Sequence, residues 1–204
     1  MKLFLLLDNG HGTRAFTKGK CSPDKKLYEG EWTREFVSML CTRLKELGLA
    51  YYVVVPEEAD VTLGNRCLRA NTVIKNMKKL GYDCLFISTH CNAAKSDGQY
   101  HNASGWTCWI YTNGSSKSKK IGQIMAAESK KRKLTGNRTL PAVGYYTANF
   151  YVLKNTDCPA ILCENMFMDN EEDEQFLLSK EGKEQLIELY IISILQYMET
   201  YDYK

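Results

Sequence analysis

Three apolar runs in this chain end in a group able to bind a metal or carry a proton. Leu5-Leu6-Leu7 runs into Asp8-Asn9-Gly10-His11-Gly12. Leu85-Phe86-Ile87-Ser88 runs into Thr89-His90-Cys91-Asn92-Ala93. Ile161-Leu162-Cys163 runs into Glu164-Asn165. The glycines around His11 permit a sharp turn, so the imidazole is expected at the strand's C-terminal edge. In open α/β sheets, ligands bind in the crevice beyond the carboxyl ends of the strands. Two imidazoles and a carboxylate would meet there. A lone histidine is more often structural than ligating, and the convergence is what carries the reading. The chain has only 3 histidines, and His101, in a polar loop, is expected to be solvent-exposed.

A catalytic zinc site takes about three protein ligands and leaves one position open for water. His11 and His90 offer two nitrogens. Glu29 is the best third ligand, because it directly precedes a helix bearing Trp32 and Phe36. Glu31 is its local competitor, and spacing does not separate them. Either would also serve as a first-turn carboxylate favoured by the helix dipole. Glu164 is left as the acid/base. A zinc ion lowers the pKa of a water to roughly 7. A neighbouring carboxylate can then take a proton and return it to a leaving nitrogen. This is amide-hydrolysis chemistry, and the residues alone do not name the amide. Two imidazoles and one carboxylate favour zinc, with cobalt or manganese as substitutes in vitro.

The elements that must position these groups alternate in type. Lys2–Leu7, Ala50–Val55, Asp83–Ser88 and Ala160–Cys163 have the pattern of buried strands. Trp106–Tyr111 alternates as a further strand, and Tyr151–Leu153 is a short candidate. Trp32, Phe36, Leu40, Leu44 and Leu47 mark a helix face ending near Gly48. Leu63, Cys67, Ala70, Ile74 and Met77 mark a second, capped by Thr62 or Asp60 and ending before Gly81. Ile121, Met125 and Glu128 lie on a third helix, and Ile187, Ile191, Ile194 and Met198 on the last. The pattern predicts a single α/β domain with a mostly parallel sheet. Lys95–Ser104 and Gly136–Ala148 are expected to be loops.

Composition narrows the classes. A net charge of +3 argues against a dedicated nucleic-acid binder. No segment is suited to span a membrane: the run after Met1 stops at Asp8, and Leu186–Met198 carries Glu188 and Gln196. That run is also too short for a signal peptide, so synthesis in the cytoplasm is expected. The 8 cysteines form no C-x-x-C pair and are expected to be buried free thiols. The basic residues Lys117, Lys119, Lys120, Lys130, Lys131, Arg132 and Lys133 are expected to form a solvated helix face. Tyr145, Tyr146, Phe150 and Tyr151 are expected to be core rather than sugar-stacking residues.

In order and spacing these residues resemble the zinc-dependent N-acetylmuramoyl-L-alanine amidases of the amidase 3 type. His11 in D-N-G-H-G is similar to the family's D-P-G-H-G, and Glu29 to its Glu before a helix. Leu63, Arg66, Ala70 and Asn71 match L-x-x-R-x-x-x-A-N. S-T-H-C-N-A around His90 matches S-I-H-x-N-A, and Gly105-Trp106 the small-residue turn before a strand. Pro159, Ala160, Leu162, Glu164 and Asn170 match P-A-x-L-x-E and its downstream Asn. Asn9, Thr33, Asn165 and Met166 depart from the pattern.

The resemblance implies one zinc ion on His11, Glu29 and His90, with Glu164 catalytic. It favours Glu29 over Glu31 by the length of helix to Gly48. Asn92 would touch substrate or orient its loop. It also implies a mixed sheet of about six strands with helices on both faces. The substrate implied is peptidoglycan or a muropeptide, cut between N-acetylmuramic acid and the L-alanine of the stem peptide. Residues 1–204 would be one catalytic domain with no separate wall-binding domain, acting as a monomer. It would reach the bacterial cell wall by release, as a phage endolysin does, or by non-classical export. The rivals are a zinc exopeptidase, with Arg66 or Arg138 holding a free peptide terminus, and a non-catalytic peptidoglycan-binding module.

Overall fold

The computed structural model describes residues 1–204. Leucines 3, 5, 6 and 7 make β1 (Lys2–Asn9) apolar on both faces, and it lies between two parallel neighbours, β2 (Ala50–Val53) and β3 (Tyr82–Asn92). β3 pairs on its other side with β6 (Ala160–Phe167), also parallel. β4 (Thr107–Tyr111) runs antiparallel to β6, and the edge strand β5 (Tyr146–Ala148) is parallel to β4. The six-stranded order is β2-β1-β3-β6-β4-β5. It is the mixed, mostly parallel sheet anticipated from the sequence.

Side-chain alternation divides each central strand between two cores. Leu3, Leu5, Leu7, Leu85, Ile87, Ile161 and Cys163 join the larger cluster. Helices α1 (Glu29–Glu46), α3 (Ser116–Lys131) and α6 (Lys180–Thr200) cover that face, through residues such as Phe36, Ile121 and Leu186. Leu6, Cys84, Phe86, Ala160 and Leu162 face the smaller cluster with Cys67 and Ile74 of α2 (Leu63–Lys79). Continuing the same alternation puts Asp8, Ser88, His90 and Glu164 on the α2 face, above the point where its apolar packing stops.

The structure corrects several expectations. His90 and Glu164 lie inside β3 and β6, not at their ends. The strands continue because their backbones stay paired, with His90 opposite Glu164, and a register shift follows only between His90 and Asn92. Tyr151–Leu153 is not a strand. It opens the helical turn α4 (Tyr151–Lys154), closed by Lys154 N–H to Phe150 O and Asn155 N–H to Tyr151 O. β5 falls in a segment expected to be a loop. Its pairing rests on Trp109 and Tyr146, whose rings stack at 4.8 Å across the strands. Helix α5 (Glu171–Leu178) was not anticipated, although Asn170 caps it and four acids fill its first turn.

The two major helix stripes are as expected, except that their end residues Leu47 and Leu63 are exposed. Thr62 rather than Asp60 caps α2. All eight cysteines are free, but Cys21, Cys41 and Cys158 are only partly buried. His101 is only partly exposed and pairs with Asp97 at 2.9 Å. The basic cluster is partly neutralised: Lys117 contacts Asp83, while Lys131 and Arg132 contact Glu128.

Candidate metal centre and hydrolytic site

Glu29 is the pivot of the site. It opens α1 and is 1% exposed, with its backbone N–H held by Lys20 O. Its Oε1 lies 3.0 Å from His90 Nδ1 and accepts the Cys91 N–H at 3.1 Å. Its Oε2 lies 3.4 Å from His11 Nε2. The candidate ligand atoms of His11, Glu29 and His90 all lie within 4.8 Å of one another. Glu31 points elsewhere: both its oxygens accept from Arg14, at 2.6 Å each. The choice left open by helix spacing is therefore made by the fold.

The His11 turn is held at close quarters. His11 has φ +55°, a left-handed conformation costly for a side chain with a Cβ. Arg34 of α1 donates to His11 O, and also to Gly30 O and Glu57 O. Asn9, at the proline position of the family pattern, donates to Val55 O at 2.8 Å. Arg66 is 2% exposed and makes four hydrogen bonds, to Asp8, Asn9 O, Val61 O and Asp60. Asp8 also accepts from Ser88 Oγ at 2.7 Å. With four of its five N–H donors engaged beneath the turn, Arg66 is a positioning residue and has no free two-donor fork left for a peptide terminus. Arg34 and this Arg66–Asp8–Ser88 web are not legible in the sequence as supports of the site. The Arg66 motif was the only available signal.

Gly10 shows how little slack remains. A Cβ there would lie 2.5 Å from His90 Nδ1 and 2.7 Å from Thr89 O. Gly10→Ala must displace the imidazole or the backbone. We expect zinc affinity to fall by about tenfold or more, measured by competition with a chromophoric chelator. Wild-type affinity in Gly10→Ala would show that the His90 ring is not a sterically constrained ligand.

Electrostatics favour a cation. Burial by itself would raise the Glu29 carboxyl, but the hydrogen bond and charge of His90, with His11 and the Cys91 amide, outweigh it and hold the pKa low. Burial lowers the His11 imidazole. It also opposes charging of His90, where the adjacent Glu29 prevails and raises the pKa. Two imidazole nitrogens around an ionised, buried carboxylate suit a borderline-soft divalent ion such as zinc.

Glu164 occupies the facing strand position. Its Oε2 is buried and has no hydrogen-bond partner. Burial raises its pKa to about 7, with His90 acting in the opposite direction. A carboxyl raised in the folded state binds more protons folded than unfolded. It therefore costs stability as pH rises from about 4.5 to 7, and costs nothing below that window. In chelator-treated protein, Glu164→Gln should be more stable than wild type at pH 8, by about 3 kcal/mol. The difference should vanish at pH 4. Denaturant melts at the two pH values test this, and equal stability at pH 8 would refute the burial argument.

His11, His90 and Glu164 open onto one cavity of about 580 Å³. Phe150, Tyr151 and Leu162 form an apolar wall there. Phe150 and Tyr151 are 37% and 48% exposed, so these two are not core residues as expected. Asn92 does not line the cavity: its Oδ1 accepts the Ala93 N–H at 2.9 Å and shapes the turn after β3. Asn165, another departure from the family pattern, donates to His90 O and accepts from Tyr190.

Residues 5–196 match the Amidase_3 family, described as N-acetylmuramoyl-L-alanine amidase. This chain belongs to the Amidase_3 family. The probable cell wall amidase LytH of Staphylococcus epidermidis is 24% identical over 196 residues, covering 96% of this chain and 58% of LytH. The chain thus spans little more than half the length of that relative. Among solved structures, N-acetylmuramoyl-L-alanine amidase from Clostridium difficile 630 superposes with a TM-score of 0.81 at 24% identity, over 97% of each chain. The amidase Ami1 from Mycobacterium smegmatis gives 0.80 at 14% identity, again over 97% of each. The Amidase_3 sheet is thus retained where most side chains differ. No helix of this member is long and apolar enough to cross a membrane.

Proposed function

We propose that this protein hydrolyses the amide bond between N-acetylmuramic acid and the L-alanine of the stem peptide in peptidoglycan. One zinc ion would be held by His11, Glu29 and His90, with Glu164 as the acid/base. The observation that carries the reading is the buried Glu29 carboxylate set between two imidazoles, on the same cavity as Glu164. Membership of the Amidase_3 family supplies the substrate.

The zinc would polarise the attacking water and stabilise the developing oxyanion. Glu164 accepts the proton lost as water adds to the carbonyl carbon. The same carboxyl then delivers that proton to the alanine nitrogen as the C–N bond breaks. The products are a free lactyl carboxylate on the sugar and a free amine on the stem peptide. A pKa raised by burial suits a group that must both take and return a proton. Glu29 remains ionised and fixes both imidazoles, and Cys91 N–H steadies its Oε1. Phe150 and Tyr151 offer apolar surface to the polymer. Asn92 has the loop-orienting role.

Residues 1–204 act as one catalytic unit, as a monomer, on polymeric peptidoglycan or muropeptides at the bacterial cell wall. Digestion of purified peptidoglycan by zinc-loaded protein, with and without chelator, followed by mass analysis, tests this. Stem peptides beginning with L-alanine, together with peptide-free glycan, are expected only without chelator. Peptides trimmed at their far end would favour an exopeptidase, and intact polymer a binding module.

A further inference from the structure

The chain has seven arginines, and six are held by carboxylates or backbone carbonyls. Arg14 pairs with Glu31, Arg43 with Glu188, Arg69 with Glu57 and Arg132 with Glu128. Arg34 and Arg66 are held inside the fold around the His11 turn. Arg138 alone has neither an ion pair nor a hydrogen bond. Its guanidinium lies over two aromatic rings, 5.8 Å from the centroid of Tyr146 and 5.5 Å from that of Phe167. It is half-buried. The two rings offer it cation–π contact, and none of its five N–H donors has a partner within the fold.

This cation is placed on a stiff platform. Asn137, the preceding residue, exchanges hydrogen bonds with Ser104: its N–H donates to Ser104 Oγ, and its Oδ1 accepts Ser104 N–H. Asn137 Nδ2 also donates to Asn102 O. Gly105 and Gly136 have φ +103° and +54°, and a Cβ on either would collide with the other segment. Asp173 then ties this platform to β6, accepting both Gly105 N–H and Phe167 N–H at 2.8 Å. The loop carrying Arg138 and the strand carrying Glu164 are thus fastened through one carboxylate.

Its location relates it to the site. Thr107 of β4 is opposite Glu164, and Tyr146 of β5 is opposite Trp109. Alternation puts Tyr146, Trp109, Thr107 and Glu164 on one face of the sheet. Tyr146 is two strand spacings from β6, roughly 10 Å, and Arg138 bridges from its ring to that of Phe167. An extended peptide advances at most about 3.6 Å per residue. A substrate chain leaving Glu164 would need about three residues to span to β5, and the Arg138 guanidinium, lying between the Tyr146 and Phe167 rings, stands short of that span.

We infer that Arg138 binds a carboxylate of the stem peptide, that of the residue following L-alanine, and makes the enzyme prefer the free acid over the carboxamide at that position. The inference rests on the amidase reading and adds the residue that reads the peptide. A planar guanidinium fork without an internal partner suits bidentate recognition of a carboxylate. An arginine serving only to cap aromatic rings would be indifferent to this substituent.

The test uses two soluble muropeptides that differ only in acid or amide at the residue after L-alanine. Wild type should favour the acid by about 10- to 100-fold in kcat/KM, through KM. Arg138→Gln should bring the two substrates to within about twofold of each other, and Arg138→Lys should retain an intermediate preference. The ratio is measured within each protein, so partial unfolding of a variant cancels. Equal cleavage of both substrates by wild type, or an unaltered preference in Arg138→Gln, overturns the Arg138 assignment and leaves the amidase intact. If wild type releases stem peptide from neither, the amidase reading falls as well.

Discussion

Glu164→Gln is expected to bind zinc with wild-type stoichiometry and to lose turnover by about 100- to 10,000-fold. Glutamine has the shape of glutamate, and β6 is paired on both sides at this position. The fold and the His11–Glu29–His90 cluster should therefore survive. What disappears is a group able to accept a proton from water and return it to nitrogen. The buried Oε2 has no other partner to replace that role. Metal analysis and rates on a soluble muropeptide separate the two effects. Near-normal turnover would mean that the acid/base is another residue.

Glu29→Gln is the second large effect. Zinc content should fall well below one per chain after dialysis, and activity should fall with it. A neutral amide can still accept the Cys91 N–H in place of Oε1, so the fold should persist. It cannot supply the negative charge that two neutral imidazoles require to hold a divalent ion. Loss of a first ligand typically exceeds the roughly 10- to 100-fold cost of losing an outer partner. Glu31→Gln is the matched control. It removes a surface pair with Arg14, worth about 0–1 kcal/mol, and should keep zinc. Equal zinc retention in both variants would remove Glu29 from the ligand set.

The reading of the site from residues was incomplete in instructive places. His11, His90 and Glu164 were identifiable because each follows an apolar run, and only 3 histidines compete. Their placement at strand ends was wrong for His90 and Glu164, since strand length depends on what the neighbouring strand does. Phe150 and Tyr151 are exposed where the sequence predicts core, because aromatic content does not reveal exposure. α5 went unread because its signal is a cap and an acidic turn rather than an apolar stripe.

By itself the sequence determined the alternation of strands and helices, the two major helix stripes and the candidate groups for a metal site. These are properties of local periodicity and residue chemistry, and they survive without knowledge of any distant contact. Residue spacing leaves Glu29 and Glu31 open and the family resemblance favours Glu29, and the tertiary structure shows that it is Glu29 that meets the histidines. Glu29 and His90 are 61 residues apart, and their meeting depends on how α1 packs against β1 and β3. It also decided the fate of the arginines. Arg66 is consumed by Asp8, 58 residues away, while Arg138 is left on two aromatic rings with its donors free. Whether a charge is spent or available depends on partners distant in the chain, which spacing along it does not record.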